Sequence, residues 1–206
     1  TRPFDTVDAH VGLLGQVLQR GQFDSLLYLS STRVYMGAVD THEDAALSVR
    51  PSDPSYLYNL TKLTGESLCH ASGRAGVRVA RLSNVVGPGM DVEAGNLVAD
   101  LLHQARHGHV VLRSDPQSAK DYVHVTDVLD WLPRIAMQGR HLVYNVASGV
   151  QTTHAQWLRW LSAHYGCTVK VQEGAQLQCF APIDVSRLST QWSAPARPLW
   201  DASSPW

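Results

Sequence analysis

L-S-S-T-R-V-Y-M-G, residues 29–37, followed after a polar run by Y-L-Y-N-L-T-K, residues 56–62, is the stretch that decides the fold. The apolar run Leu26-Leu27-Tyr28-Leu29 stops at Ser30-Ser31. That is the pattern of a buried strand delivering hydroxyls at its carboxyl end. Asp53-Pro54 marks a helix start, with Asp as N-cap and Pro at the first helical position. Residues four apart share a helix face, so Tyr58, Lys62 and Gly65 fall together while Leu57, Leu60, Leu63 and Leu68 fall elsewhere. The leucines pack; Tyr58 and Lys62 face something else. This arrangement suits proton transfer at a carbon-bound oxygen. A phenol with its ordinary pKa of about 10 is a poor base near neutrality. An ammonium one turn away favours the phenolate, and a serine hydroxyl can hold the substrate oxygen in line. An amphipathic helix carrying Tyr and Lys by chance is the plainer reading. The strand ending in Ser-Ser and the adjacent V-Y-x-G favour the chemical one.

Working outward, Val7, Val11, Leu14 and Leu18 recur at helical spacing, and Gly21 ends the pattern. The polar segment Ala38–Ser52 reads as a loop over the active site, where specificity is usually carried. Val77–Leu82 is a strand running into S-N-V-V-G-P-G, whose Asn and Gly-Pro are also ordinary turn formers. Gly95–Gly108 is helical, His109–Arg113 a short strand, Leu142–Val146 a strand, Thr153–His164 a helix and Thr168–Gln172 a strand. Thr126 reads as the cap of another helix, with Asp127 in its first turn. The tryptophans at 157, 160, 192, 200 and 206 read as packing, and the Pro-rich tail 195–206 as irregular.

The 206 residues suffice for one good core. Charge is near balance, 17 basic against 18 acidic, so no nucleic acid or anionic membrane is expected as a partner. No apolar run approaches the ~20 residues that span a bilayer, and no signal-like segment opens the sequence. Cys69, Cys167 and Cys179 form no C-x-x-C pair, which fits a reducing compartment; the cytoplasm is the expected location. His103, His107 and His109 read as solvated cations near a helix C-terminus rather than metal ligands, and no metal is expected.

The Ser…Tyr-x-x-x-Lys pattern resembles the short-chain dehydrogenase/reductase superfamily. Arg81–Pro88, matching R-x-x-N-V-x-G-P, and K-D-Y-V-H-V-T-D-V, residues 120–128, resemble its extended branch, the NAD-dependent epimerase/dehydratase family. The resemblance implies an α/β fold: a Rossmann-like parallel sheet with helices on both faces, then a smaller α/β substrate portion. Residues 1–86 would belong to the dinucleotide-binding part with the catalytic residues. Residues 87–206 would be mainly substrate-binding, with some elements returning to the main sheet. The family's opening strands and Gly-rich turn have no counterpart, so the chain reads as an N-terminally truncated fragment, inactive alone. The Asn often found near the start of the first helix is replaced by Ala9 or His10.

In the resemblance, Tyr58 is the acid/base, Lys62 tunes it and holds the nicotinamide ribose, and Ser31 positions the substrate oxygen, with Thr32 a possible substitute. Cofactor contacts, to NAD or NADP, fall to Ser30, Tyr58, Lys62, Leu82 and Val85. Substrate contacts fall to Ser31, Thr32, Asn84 and Lys120; Lys120 stands where relatives carry an Arg on the diphosphate, keeping the charge without the bidentate fork. The segment Pro182–Leu188 resembles the one closing the sugar side. The implied activity is hydride exchange with a nucleotide sugar through a transient ketone. Relatives that eliminate water read T-D-E-V-Y-G; here Thr32 and Arg33 stand at the acid and base positions, and Arg cannot act as a base. Epimerase or 4-keto reductase is therefore favoured over 4,6-dehydratase. A reductase of non-sugar carbonyls and a non-catalytic nucleotide sensor are the other readings. A homodimer through the 7–18 and 57–68 helices is implied as well.

Overall fold

The computed structural model describes residues 3–91, 93, 95–193 and 196–200. Trp206 and parts of the tail expected to be irregular, Pro195 and 201–206, lie outside the described residues. The chain runs α1 (Pro3–Val7), a π turn (Asp8–Gly12), α2 (Leu13–Arg20), β1 (Leu26–Ser31), α3 (Leu57–Ala71), β2 (Val77–Leu82) and β3 (Asn84–Val86). It continues with α4 (Leu97–Arg106), β4 (His109–Ser114), β5 (Ala119–His124), α5 (Val125–Gln138) and β6 (Val143–Val146). β7 (Gln151–Thr153), α6 (His154–Tyr165), β8 (Thr168–Gln176) and α7 (Ser186–Trp192) complete it.

Three small sheets result. β1, β2 and β6 pair in that order, all parallel, with Ser31 opposite Leu82 and Leu82 opposite Val146. β5 pairs parallel with β3 and antiparallel with β7, and β4 pairs parallel with β8. Strand alternation decides what each face of the first sheet meets. Tyr28, Val77, Val79 and Val143 pack with Leu14 and Leu18 of α2 and Cys69 of α3. Ala80, Tyr144 and Val146 face the other way, onto Val128, Trp131 and Ile135 of α5. So the sheet has helices on both faces, as parallel strands joined by crossovers require. A second core forms where α4 and α6 cover β4, with Leu101, Leu112, Trp157 and Leu161 at its centre.

Several local expectations need correction. The opening helix is not uniformly α-helical. The π turn inserts a residue, so Val7 is exposed while Leu14 and Leu18 are buried. α5 is capped by His124, whose Nδ1 accepts from the Thr126 amide at 3.2 Å, so Thr126 itself lies in the first turn. Asp127 does more than favour the helix dipole. It is buried and accepts from Arg197 N at 2.8 Å, with Arg197 Nη1 3.2 Å from its Oδ1. This anchors residues 196–200, whose Trp200 ring stacks on Trp160 at 5.8 Å and meets Trp157 edge-on at 4.6 Å.

The segment 38–52 is pinned to the strand ends and to residues 182–184, and none of its residues is on the cavity wall described below. Thr41 Oγ1 donates to Pro182 O and accepts from Asp184 N, and Asn145 N donates to Glu43 Oε1 at 2.9 Å. Thr41 and Glu43 are buried, because Asn145 and Arg81 at the strand ends need acceptors that the sheet does not supply.

Arg81 and Glu66 form a buried ion pair between β2 and α3, with Nη2 2.6 Å and Nε 3.0 Å from the carboxylate. Removing one partner of such a pair strands the other charge. Arg81→Met is therefore expected to lower stability by about 3 kcal/mol or more in urea unfolding, and Glu66→Leu/Arg81→Met to recover part of the loss. A single-mutant cost under about 1 kcal/mol would contradict this reading of the pair.

Candidate active site

The site lies where β1 and β2 end and α3 begins. Asp53 accepts from Ser55 N at 2.9 Å and starts a 3-10 turn, Pro54–Tyr56, that feeds into α3. Ser31 ends β1 and caps the next turn, Thr32–Tyr35, its Oγ accepting from Arg33 N at 3.2 Å. Gly65 lets α3 approach β1 closely: a Cβ there would fall 2.3 Å from Tyr28 Oη. That approach brings Lys62 Nζ to Leu29 O at 2.9 Å, with the ammonium 5.3 Å from the Tyr28 ring centre and 5.7 Å from that of Tyr58. Burial draws the Lys62 pKa down.

A cavity of about 900 Å³ opens here, with Ser31, Thr32, Tyr58, Asn84 and Lys120 on its wall. The structure thus brings together five residues singled out from four separate sequence segments. Asn84 is placed by its Nδ2, which donates to Asp121 O at 2.8 Å. Lys120 leaves β5 with its ammonium 5.1 Å from the Phe180 ring centre. Burial, and then the charge of Arg33, push its pKa down. Asp121 is also on the wall, but its carboxylate accepts from Ser83 Oγ at 2.7 Å and from Ser148 N and Oγ at 3.0 Å each. Burial raises its pKa against those hydrogen bonds.

Other expected residues point elsewhere. Ser30 is buried and its hydroxyl donates to Glu66 Oε1, because strand alternation turns it onto α3 while Ser31 reaches the cavity. Leu82 and Val85 pack with the α5-side core, so their side chains are not on the cavity wall; Leu82 contributes its carbonyl to Thr32 Oγ1 at 3.4 Å. Lys62 stands behind Tyr58 rather than on the wall.

Sequence reading missed Arg33, Ser55, Asn96, Phe180 and Ala181, which also line the cavity. Arg33 was visible as a departure from a motif but not as a wall residue. Phe180 and Ala181 directly precede Pro182–Leu188 and carry no signal of their own. His10, in the π turn, was noted only as a replacement. It sits edge-on to Tyr58 at 5.4 Å, its Nδ1 2.9 Å from Thr61 Oγ1. Burial, followed by the charge of Lys62, lowers its pKa.

A second cavity of about 280 Å³ shares Lys120 with the first as a wall residue; Leu97, Asp100, Arg113, His154 and Gln178 are among its other walls. Burial, and then Lys120, hold the His154 imidazole neutral down to about pH 4. Among the described residues, no three His, Cys, Asp or Glu converge as a metal site, and no helix is long and apolar enough to cross a membrane.

A parallel sheet flanked by helices, with the candidate site at the carboxyl ends of its strands, is of the Rossmann-like α/β class. Residues 2–147 match the model of the NAD dependent epimerase/dehydratase family, and the chain belongs to that family. It is 26% identical over 184 residues to a dTDP-4-dehydro-6-deoxy-D-allose reductase of Streptomyces bikiniensis, covering 83% of this chain and 56% of that protein. It is 29% identical over 130 residues to a dTDP-L-rhamnose 4-epimerase of Burkholderia thailandensis, covering 59% and 36%. Among solved structures, TunA, an NAD dependent NDP-hexosamine 5,6-dehydratase involved in tunicamycin biosynthesis, superposes with a TM-score of 0.74 at 26% identity. That match covers 92% of this chain and 64% of TunA. The chain thus spans about half the length of the curated reductase it matches.

Proposed function

We propose that the protein carrying this chain exchanges hydride between a nicotinamide cofactor and a hexose carbon of a nucleotide sugar, as an epimerase or a 4-keto reductase. The observation that carries this reading is the single cavity holding Ser31, Tyr58, Asn84 and Lys120. Tyr58 takes or returns the hydroxyl proton of the reacting carbon. Ser31 hydrogen-bonds the same oxygen, and its amide-capping role fixes its direction. Lys62 holds its ammonium 5.7 Å from the Tyr58 ring centre.

The residues present fit the nicotinamide end of the cofactor. Lys62 spends one N–H on Leu29 O, which leaves two for ribose hydroxyls beside Tyr58. A bound nicotinamide supplies hydride transfer. Lys120, a wall residue of both cavities, suits a diphosphate with the sugar on the Tyr58 side and the nucleoside on the Leu97 side. That two-chambered layout supports a nucleotide sugar over a simple ketone. The Ser31–Tyr58–Lys62 set supports an enzyme over a sensor.

Residues 7–18 and 57–68 are proposed as a homodimer face. Leu13 is 61% exposed, and Leu57 and Leu60 are only half-buried. Sedimentation of the whole protein should give a dimer; a monomer at micromolar concentration would refute this.

In the whole enzyme, Tyr58→Phe should lower turnover by ~10²-fold or more with cofactor binding retained, as for a positioned acid/base. Lys62→Met should damage both cofactor affinity and rate. A Tyr58→Phe enzyme near the wild-type rate would defeat the mechanism. The 206-residue chain alone should not bind dinucleotide tightly, because it contains no Gly-rich turn opening a helix to receive a pyrophosphate. Calorimetric titration with NADH checks this, and micromolar affinity would overturn it.

A further inference from the structure

We propose that Arg33 makes the cavity selective for a nucleotide sugar whose hexose carries an anionic substituent, a uronic acid being the simplest case. The inference rests on the nucleotide-sugar reading and deepens it.

Arg33 is fixed by a reciprocal clamp. Its Nε donates to Asn59 Oδ1 at 3.1 Å, and Asn59 Nδ2 donates back to Arg33 O at 3.1 Å. Nη2 donates to Ser55 O at 3.4 Å. Asn59 is 1% exposed and is the immediate neighbour of Tyr58. The guanidinium is therefore preset on the same helix turn as the proton-transferring phenol, two residues from Ser31. Those bonds leave the Nη1 hydrogens and one of Nη2 unused on a residue that lines the cavity, the edge of the fork that matches a carboxylate.

What is missing around Arg33 is a counter-charge. Among the described residues, the arginine ion pairs involve Arg81, Arg187 and Arg197, and no carboxylate lies within ion-pair distance of Arg33. Lys120 faces the same cavity and likewise has no carboxylate partner among the described residues. Asp121, the acidic residue on the wall, is taken by Ser83 and Ser148. Two cations thus face one cavity, Arg33 exposed and Lys120 half-buried, and the described protein groups neutralise neither. A diphosphate at Lys120, which lines both cavities, answers one of the two cations. Arg33, at the Tyr58 end, is left facing the sugar ring. Hydroxyls would use the fork singly; a carboxylate uses it in pairs and neutralises the charge.

The test uses the whole enzyme and calorimetry. UDP, dTDP and GDP are titrated first, and the tightest-bound nucleotide then supplies a matched pair, its glucose and glucuronic acid conjugates. The wild type should bind the acidic sugar ~10-fold or more tightly than the neutral one, as a charge-assisted bidentate contact implies. Arg33→Gln should erase that preference and leave affinity for the bare nucleotide within ~2-fold; Arg33→Lys should keep part of the preference. Thermal melts of both variants report folding, and Arg33→Lys carries the test if Arg33→Gln does not fold. Equal binding of the two sugars by the wild type overturns the inference. So does loss of bare-nucleotide affinity in Arg33→Gln, which would place Arg33 on the diphosphate. Binding of none of the three nucleotides defeats the nucleotide-sugar reading itself, and the inference falls with it.

Discussion

The buried Arg81–Glu66 pair sits at the point on which the site depends. Two charges removed from water hold together only when their remaining hydrogen-bonding capacity is also met. Here Glu66 takes the Ser30 hydroxyl as well as the guanidinium, and Arg81 Nη1 reaches Tyr35 Oη at 2.6 Å and Glu43 O at 3.1 Å. Tyr35 in turn donates to Asn145 Oδ1 at 2.9 Å. One network thus ties β1, β2, β6, α3 and the 38–52 segment together at the carboxyl ends of the strands. Ser31 follows Ser30 directly and Tyr58 shares α3 with Glu66, so the network holds both elements of the site, and its Tyr35 reaches the cavity wall itself.

Outside that network the polar part of the wall is built from short, fixed side chains and two long cationic ones. Ser31, Asn84 and Asp121 are each held by backbone or hydroxyl partners. Lys120 rests on an aromatic face and Arg33 on an amide. Such a wall needs little rearrangement to receive a ligand, since the hydrogen bonds that orient it already exist.

The strand, the Tyr58 helix and the three family motifs were legible because each combines a local period with residues that chemistry requires. Strand alternation resolved the Ser30–Ser31 pair only once a helix was known to cover one face. The π turn was illegible because its cause is tertiary: Val7, Val11, Leu14 and Leu18 satisfy an unbroken helix equally well. The role of 38–52 was hidden for a similar reason, since polar residues read as solvated unless buried donors such as Asn145 await them. Asp127 showed its dipole role in sequence, but its Arg197 partner lies 70 residues away. Arg33 was read for what it cannot do, not for where Asn59 would hold it.

The π turn at Asp8–Gly12 has a consequence for how this chain tolerates changes in length. Surface helices usually accept point substitutions readily, and loops accept insertions and deletions. Here the order is altered. Removing one residue from the turn would restore ordinary helical winding, but would swing the preceding residues by about 100° around the axis. Thr6 would leave the cavity wall, and α1 would lose its bearing on α3. A lineage could vary most side chains along this helix, yet a single-codon deletion within it would reach the wall that carries Tyr58.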